Sequence, residues 1–230
     1  MRTNRWLLRS ALFSFTFGFL LTMTPLAQAA TNPNPGVFPV SSKPYGATYG
    51  QWSAKWWQWA LSIPASSNPL LDTTGANCAV AQSGPVWFLA GTFGTSEVRA
   101  CTIPSRNSIL FPVINTECST IEGNGSTETE LRACAKFFMD AVSLLEASVD
   151  GKSLVKLTSY RFVSPLYTFT LPSGDILGLG PGSSPSVADG FWIMLQPLEA
   201  GTHAVHFKGG LVLPGFAFET EATYTLTIVD

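Results

Sequence analysis

The side chains most able to do chemistry are few, and the tryptophans stand out. Trp52, Trp56, Trp57 and Trp59 fall within a single short segment. An aromatic face beside polar rims can stack on sugars, and the same rings can fill a core. His203 and His206 are the whole histidine complement. Three apart on a strand, they point to opposite faces and make poor joint metal ligands. Acids are scattered, among them Asp72, Glu97, Glu117, Glu122, Asp175, Asp189 and Glu199. A glycosidase needs two carboxylates roughly 5–10 Å apart, and no spacing along this chain singles out such a pair. No H-E-x-x-H, G-x-S-x-G or C-x-x-C motif occurs. Gly151-Lys152-Ser153 ends like a P-loop, but Glu146 stands where the first glycine belongs. Gly178-Leu179-Gly180 is glycine-rich, yet Ser183 replaces the third glycine of a dinucleotide fingerprint. No cofactor and no metal is expected.

The elements around these residues decide which of them are free to act. Thr48 and Gln51 fit a capping box and open the segment YGQWSAKWWQWALSI, which Pro64 ends. At helical spacing Tyr49, Trp52, Trp56, Trp59 and Ile63 share one arc, opposite Gln51, Lys55, Gln58 and Ser62. That arc reads as core. Trp57 lies on the flank and is a candidate ligand-binding residue. Phe191–Gln196 alternates, so Trp192 faces away from Phe191 and Ile193 and is expected to be exposed, a second candidate. Residues 172–190 read as a long Gly/Ser/Pro-rich connection. Such loops cluster at the ends of a sandwich and bind ligands, so Asp175 and Asp189 complete the candidate site.

The remaining chain reads mainly as strands. Gly84–Phe93 is apolar on both faces and reads as a central strand holding Trp87. Arg99–Ile103 and Ser108–Ile114 follow, with Pro112 marking an edge or a bulge. Thr127 and Glu130 repeat the capping box, and a second amphipathic helix is predicted to about Glu146. Asp150-Gly151 is a hairpin signal, with Ser153–Leu157 as its return strand. Tyr160–Val163, Leu166–Leu171 and Thr202–Phe207 are further strands. In Ala222–Val229 the residues Tyr224, Leu226 and Ile228 face inward and three threonines face outward. Many short strands with turns between them predict a mainly β (α+β) fold, an antiparallel β-sandwich of jelly-roll type with two helices packed on it.

Composition narrows the class of function. The chain has 230 residues, is 46% hydrophobic and only 12% charged, which argues against disorder. Arg2, Arg5 and Arg9, the apolar run Ala11–Thr22, Pro25 and Ala27-Gln28-Ala29 form the three parts of a secretory signal peptide. Residues 1–29 are therefore read as a leader, 30–47 as an extended Pro-rich segment and 48–230 as one domain. The apolar core of the leader is shorter than the roughly 20 residues a spanning helix needs, and no later stretch reaches that length. Without the leader the net charge is −5, from ten basic and 15 acidic residues. No basic run exists to neutralise phosphates, so nucleic acid is not an expected partner. An exported chain with an even cysteine count forms disulfides. Four cysteines allow three pairings; Cys78–Cys101 with Cys118–Cys134 is favoured because each pair closes a modest local loop, restricting the unfolded chain by about 3 kcal/mol.

The segments YGQWSAKWWQWAL, SNPLLDTTGANC, GPVWFLAGTFG, Arg99–Pro104, ILFPVIN and DGFWIMLQPLEAGTHAVHF together resemble a group of exported bacterial proteins to which no activity is assigned. That resemblance spans about Tyr45 to His206. It implies a bacterial source and structural cysteines, and it carries over no catalytic residue. The expected function is a non-catalytic binding or interaction protein of the periplasm or exterior, with carbohydrate or an envelope protein as its partner. The alternatives are a secreted hydrolase of polysaccharides or esters, using His203 or His206 with a nearby acid, and a structural envelope component.

Overall fold

The computed structural model describes residues 32–230, and the expected leader, residues 1–29, lies outside them. Helix α1 (Tyr49–Leu61) starts where its capping box places it. Thr48 Oγ1 accepts from the Gln51 backbone N–H at 3.2 Å, and Gln51 Oε1 accepts from Thr48 N–H at 2.9 Å. Strands β1 (Val86–Phe88), β2 (Ser96–Pro104) and β3 (Ser108–Ser119) follow, then helix α2 (Glu128–Asp140) with the second capping box. Strands β4 (Val142–Val149), β5 (Lys152–Ser153), β6 (Arg161–Val163), β7 (Tyr167–Leu171), β8 (Gly182–Leu195), β9 (Gly201–Leu213) and β10 (Phe216–Val229) complete the order.

The strands form two five-stranded sheets. One runs β1-β3-β8-β6, with β7 also on β8; the other runs β2-β10-β9-β4-β5. The mainly β fold with two helices is as expected, but the sheets are mixed. β1 pairs with β3, and β2 with β10, in parallel. No tight hairpin joins either pair, so no turn dictates their direction.

The sheets pack face to face. Phe111 of β3 stacks on Phe207 of β9 with ring centroids 4.8 Å apart. The close approach depends on Gly209, where a Cβ would lie 2.5 Å from the Cβ of Ile114. Helix α1 covers the opposite face of the first sheet, and Trp56 meets the edge of Trp192 at 5.5 Å. Both faces of β8 are therefore covered, which is why Val187–Leu195 is buried without a break. Helix α2 packs on β3 and β8. There Leu131 and Ala135 form a small cluster with Cys118 and Val187.

The disulfides are Cys78–Cys101 and Cys118–Cys134, with Cα–Cα distances of 5.8 and 6.1 Å. Pro112 sits at a bulge, since the β3–β8 register shifts between Pro112 and Ile114. The Pro-rich segment lies against the end of β8. Phe38 N–H donates to Met194 O at 2.9 Å and Gln196 N–H to Gly36 O at 2.8 Å. Among the described residues no helix is long and apolar enough to cross a membrane.

Several element boundaries differ from expectation. The strand expected over Gly84–Phe93 shrinks to the three residues of β1, and it is an edge strand. Helix α2 ends at Asp140 rather than near Glu146, because Val142–Val149 pairs with β9 instead. The return strand of the Asp150-Gly151 hairpin is only Lys152–Ser153. The long connection closes at Gly182, where β8 begins. Its serines and glycines have low strand propensity, but β3 on one side and β7 on the other hold them in the sheet.

Candidate functional site

β1 covers only Ser108–Leu110 of β3. Beyond Leu110, among the described residues, no strand pairs with that edge of β3. A cavity of about 250 Å³ lies along this open edge. Trp56 and Trp57 of α1 form one wall, and Met139 of α2 with Leu211 of β9 forms another. Asn115 and Glu117 of β3 contribute the polar part, with Glu122 from the following loop.

A third wall is the backbone of Gly91–Phe93, which follows β1. Its position is fixed by Arg99 of β2, a buried side chain. Arg99 Nη1 donates to the carbonyls of Ala90 and Gly91 at 3.0 and 2.9 Å and to the Tyr224 hydroxyl at 2.8 Å. The Thr92 N–H donates to Thr220 Oγ1 at 3.1 Å. The rim is aromatic: Phe93 is 49% and Phe216 50% exposed, with Phe138 and Phe218 half-buried beside them. Exposed apolar surface collected at one place marks an interaction site.

The indole N–H groups separate the tryptophans by role. Trp52 donates to Pro44 O at 2.9 Å, Trp56 to Leu89 O at 3.0 Å and Trp59 to Val80 O at 3.0 Å. Trp57 lines the cavity and is 7% exposed, and its Nε1–H has no acceptor among the described residues. Asn115 Nδ2, also at the cavity, is likewise buried without a partner. Such unmade hydrogen bonds cost on the order of 1–3 kcal/mol each.

One acid of the cleft is perturbed. Burial pushes the Glu117 carboxyl well above the usual carboxylate range, and the neighbouring Glu122 reinforces this by a shared hydrogen bond and like charge. A hydrogen bond from the Ser186 hydroxyl opposes the rise without cancelling it. Ser186 Oγ also lies 3.1 Å from both the Cys118 carbonyl and the Tyr167 hydroxyl. A protonated Glu117 is a hydrogen-bond donor, and Glu122 is the acceptor beside it.

The four residues singled out by sequence are not brought together. Trp57 reaches the cavity as a wall, not as an exposed platform. Trp192 is 0% exposed, because α1 covers the face of β8 that was expected to meet solvent. Its Nε1 is buried without a partner, close to Gly190, where a Cβ would lie 2.9 Å away. Asp175 is also buried and folds its own loop, accepting from the N–H groups of Leu177, Leu179 and Gly180 at 2.9, 3.3 and 2.8 Å. Burial alone would raise its pKa, but these donors hold it below the usual carboxylate value. The loop it shapes supplies Leu177 to the cavity. Asp189 is not in a loop. It lies within β8, buried, and receives Arg161 Nη2 at 2.7 Å and Nε at 3.1 Å.

The histidines stay apart. His203 Nδ1 meets Asp150 Oδ2 at 2.8 Å and its Nε2 meets Glu199 O at 3.0 Å. His206 Nε2 meets Glu221 Oε1 at 3.0 Å. Neither has a serine, threonine or cysteine among these partners. Among the described residues no group of three or more His, Cys, Asp or Glu could hold a metal ion.

Sequence reasoning passed over Asn115 as a site residue and weighed Glu117 only as one acid among many. The available signal was coarse: the apolar run of β3 ends at Ile114 and three polar residues, Asn115, Thr116 and Glu117, follow it in the same strand, of which Asn115 and Glu117 share a face. Compared with known proteins, the chain matches no protein family, no curated protein and no solved structure.

Proposed function

We propose that this chain is an exported, non-catalytic binding protein whose cleft beside β3 takes a small, largely apolar molecule. The observation that carries the reading is the cavity of about 250 Å³ beside the open edge of β3, walled by Trp56, Trp57, Met139 and Leu211 and rimmed by Phe93, Phe138, Phe216 and Phe218. Ligand sites are concave and mostly apolar, with a few convergent polar groups, and the cleft has that composition. Export is supported by the leader-like start and by two disulfides. The resemblance to exported bacterial proteins agrees with it.

A flat sugar platform built from Trp57 and Trp192 is not part of this reading, since both rings are buried. Hydrolysis gains no support from histidines whose ring nitrogens meet only acids and a carbonyl. The test is titration of the chain without its leader with N-phenyl-1-naphthylamine, an apolar fluorescent probe. Saturable binding of one probe per chain is expected, with quenching of tryptophan emission. Absence of saturable binding overturns the reading.

A further inference from the structure

The unpaired edge of β3 bears on what the cleft takes. We propose that it receives an extended apolar segment of a partner protein, added to β3 as a further strand and ending in a lysine or arginine beside Glu117 and Glu122. This rests on the cleft being a ligand site, and it names the class of partner.

The backbone of β3 is free where the cleft opens. Ala188 of β8 turns its backbone toward the β6 side: its O accepts from Ser164 N–H at 2.8 Å and its N–H donates to Ser164 Oγ at 2.9 Å. The next residue, Asp189, therefore faces β3, where its partner in the register is Thr116. Asn115 and Glu117, on either side of Thr116, point their N–H and C=O groups away from β8. Among the described residues nothing pairs with Asn115 N–H, Asn115 O or Glu117 N–H, and Glu117 O meets only the Thr116 hydroxyl at 3.4 Å. The two residues are two apart, the repeat at which an added strand makes its bonds.

The cavity lies where that strand would run. Leu89 N–H still donates to Leu110 O at 2.9 Å. Pro112, next on that side of β3, has no N–H to offer, and by Thr92 the chain has turned to Thr220 of the second sheet. Residues 112–117 of β3 then line the cavity in one unbroken run. Trp57 of α1 closes it over one face of the first sheet, and Leu211 of β9 and Phe218 of β10 close it over the other. A strand held between two such walls is apolar on both faces. A cavity of about 150 Å³ admits benzene, so the present one, at about 250 Å³, takes roughly two aliphatic side chains, one toward each wall. The rest of the segment lies in the mouth, against the exposed rings of Phe93 and Phe216. A compact ligand would fill the space and leave the backbone groups of β3 unused.

Charge sets the end of the segment. Glu117 and Glu122 lie side by side at one end of this run. Among the described residues neither forms an ion pair with Lys, Arg or His. A lysine or arginine side chain there meets two carboxyl groups, whereas an acidic one adds a third like charge.

The experiment is calorimetric titration of the native chain with the synthetic peptide acetyl-Leu-Val-Leu-Val-Lys-amide. Two matched peptides accompany it, one N-methylated at its backbone amides and one ending in glutamate. One parent peptide is expected to bind per chain. Methylation keeps the apolar side chains and removes the strand hydrogen bonds, so that peptide should bind at least about tenfold more weakly. The glutamate peptide should bind about three- to fivefold more weakly. Asn115→Pro removes an edge N–H that β8 does not use and should weaken the parent peptide about five- to tenfold, with the urea midpoint reporting whether the variant stays folded. The native panel decides the matter where it does not. The proposal is overturned if the methylated or the glutamate peptide binds as tightly as the parent. It is also overturned if the parent fails to bind while N-phenyl-1-naphthylamine binds, and the cleft is then a site for compact molecules alone. If neither binds, the ligand site itself is refuted and this inference falls with it.

Discussion

Two groups of buried polar side chains lie on neighbouring parts of the first sheet, and they differ in one respect. Around Asp189 every charge has its partner. Arg161 grips Asp189 through Nη2 and Nε and reaches Asp140 with Nη1 at 2.8 Å, and Lys136 also pairs with Asp140. In the cleft, Trp57 and Asn115 hold donors without acceptors and Glu117 holds an acid without a cation. The first arrangement is closed within the chain and has nothing left to offer a ligand. The second is left incomplete, and its unmet hydrogen bonds cost the fold stability. Perturbed side chains in a concave place are where function is expected.

Mutations at the two places should therefore behave differently. Asp189→Ala leaves Arg161 without its buried partner and should cost about 3 kcal/mol of folding stability, read by urea denaturation. An equal loss on truncating Glu117 to alanine would erase the contrast. Within α1 the comparison sharpens. Trp56→Phe breaks the bond to Leu89 O and opens space in the core, for a loss of about 2 kcal/mol. Trp57→Phe deletes a donor that has no acceptor and should cost less than about 1 kcal/mol.

Acidity gives a third comparison. The pKa of Glu117 is raised in the fold, so the native state keeps a proton that the unfolded chain releases. Stability should then fall as pH rises through the interval from roughly 4.3, the ordinary glutamate value, to the raised one. Glu117→Gln should flatten that fall, and the variant's relative stability should improve toward alkaline pH. Parallel pH profiles of the two proteins would show that Glu117 titrates normally.

The smallest effect belongs to the surface pair of His203 and Asp150. The hydrogen bond that His203 donates to Asp150 raises the His203 pKa. Asp150 is itself lowered: burial opposes this, but its bonds to His203 and Ala204 prevail. Stability from the raised histidine is fully present below the ordinary histidine value and disappears as pH rises through the raised one. The aspartate's share is lost as pH falls through its own lowered value. Asp150→Asn should bring the His203 NMR titration midpoint down toward its ordinary value and cost less than about 1 kcal/mol. An unmoved midpoint would show that the pair does not form in solution.

What the sequence disclosed was what local chemistry decides. Thr48 with Gln51 and Thr127 with Glu130 placed two helix starts within one turn of chain. The cysteine pairs follow from loop length, and the alternation of Tyr224, Leu226 and Ile228 follows from the pleat. What it withheld depended on contacts between distant segments. Trp192 alternates as an outward residue should, and only the landing of α1 on that face buries it. Asp189 looks like a loop residue until β3 and β6 pair on either side of it. Asn115 and Glu117 become a site because β1 stops after three residues, and nothing in the sequence of β3 records where its neighbour ends.

The first disulfide has a consequence for how the chain must be handled. β2 is an outer strand of its sheet, and a bare strand edge is a template for another chain. Here the residue 72–78 loop lies over it: Ala100 N–H donates to Thr74 O at 2.9 Å, and Gly75 passes so close that a Cβ there would lie 2.1 Å from Ala100 O. The Cys78–Cys101 bond bolts this cover in place. Reduction would remove that bolt and leave the hydrogen bond between Ala100 and Thr74 to hold the loop over the strand edge.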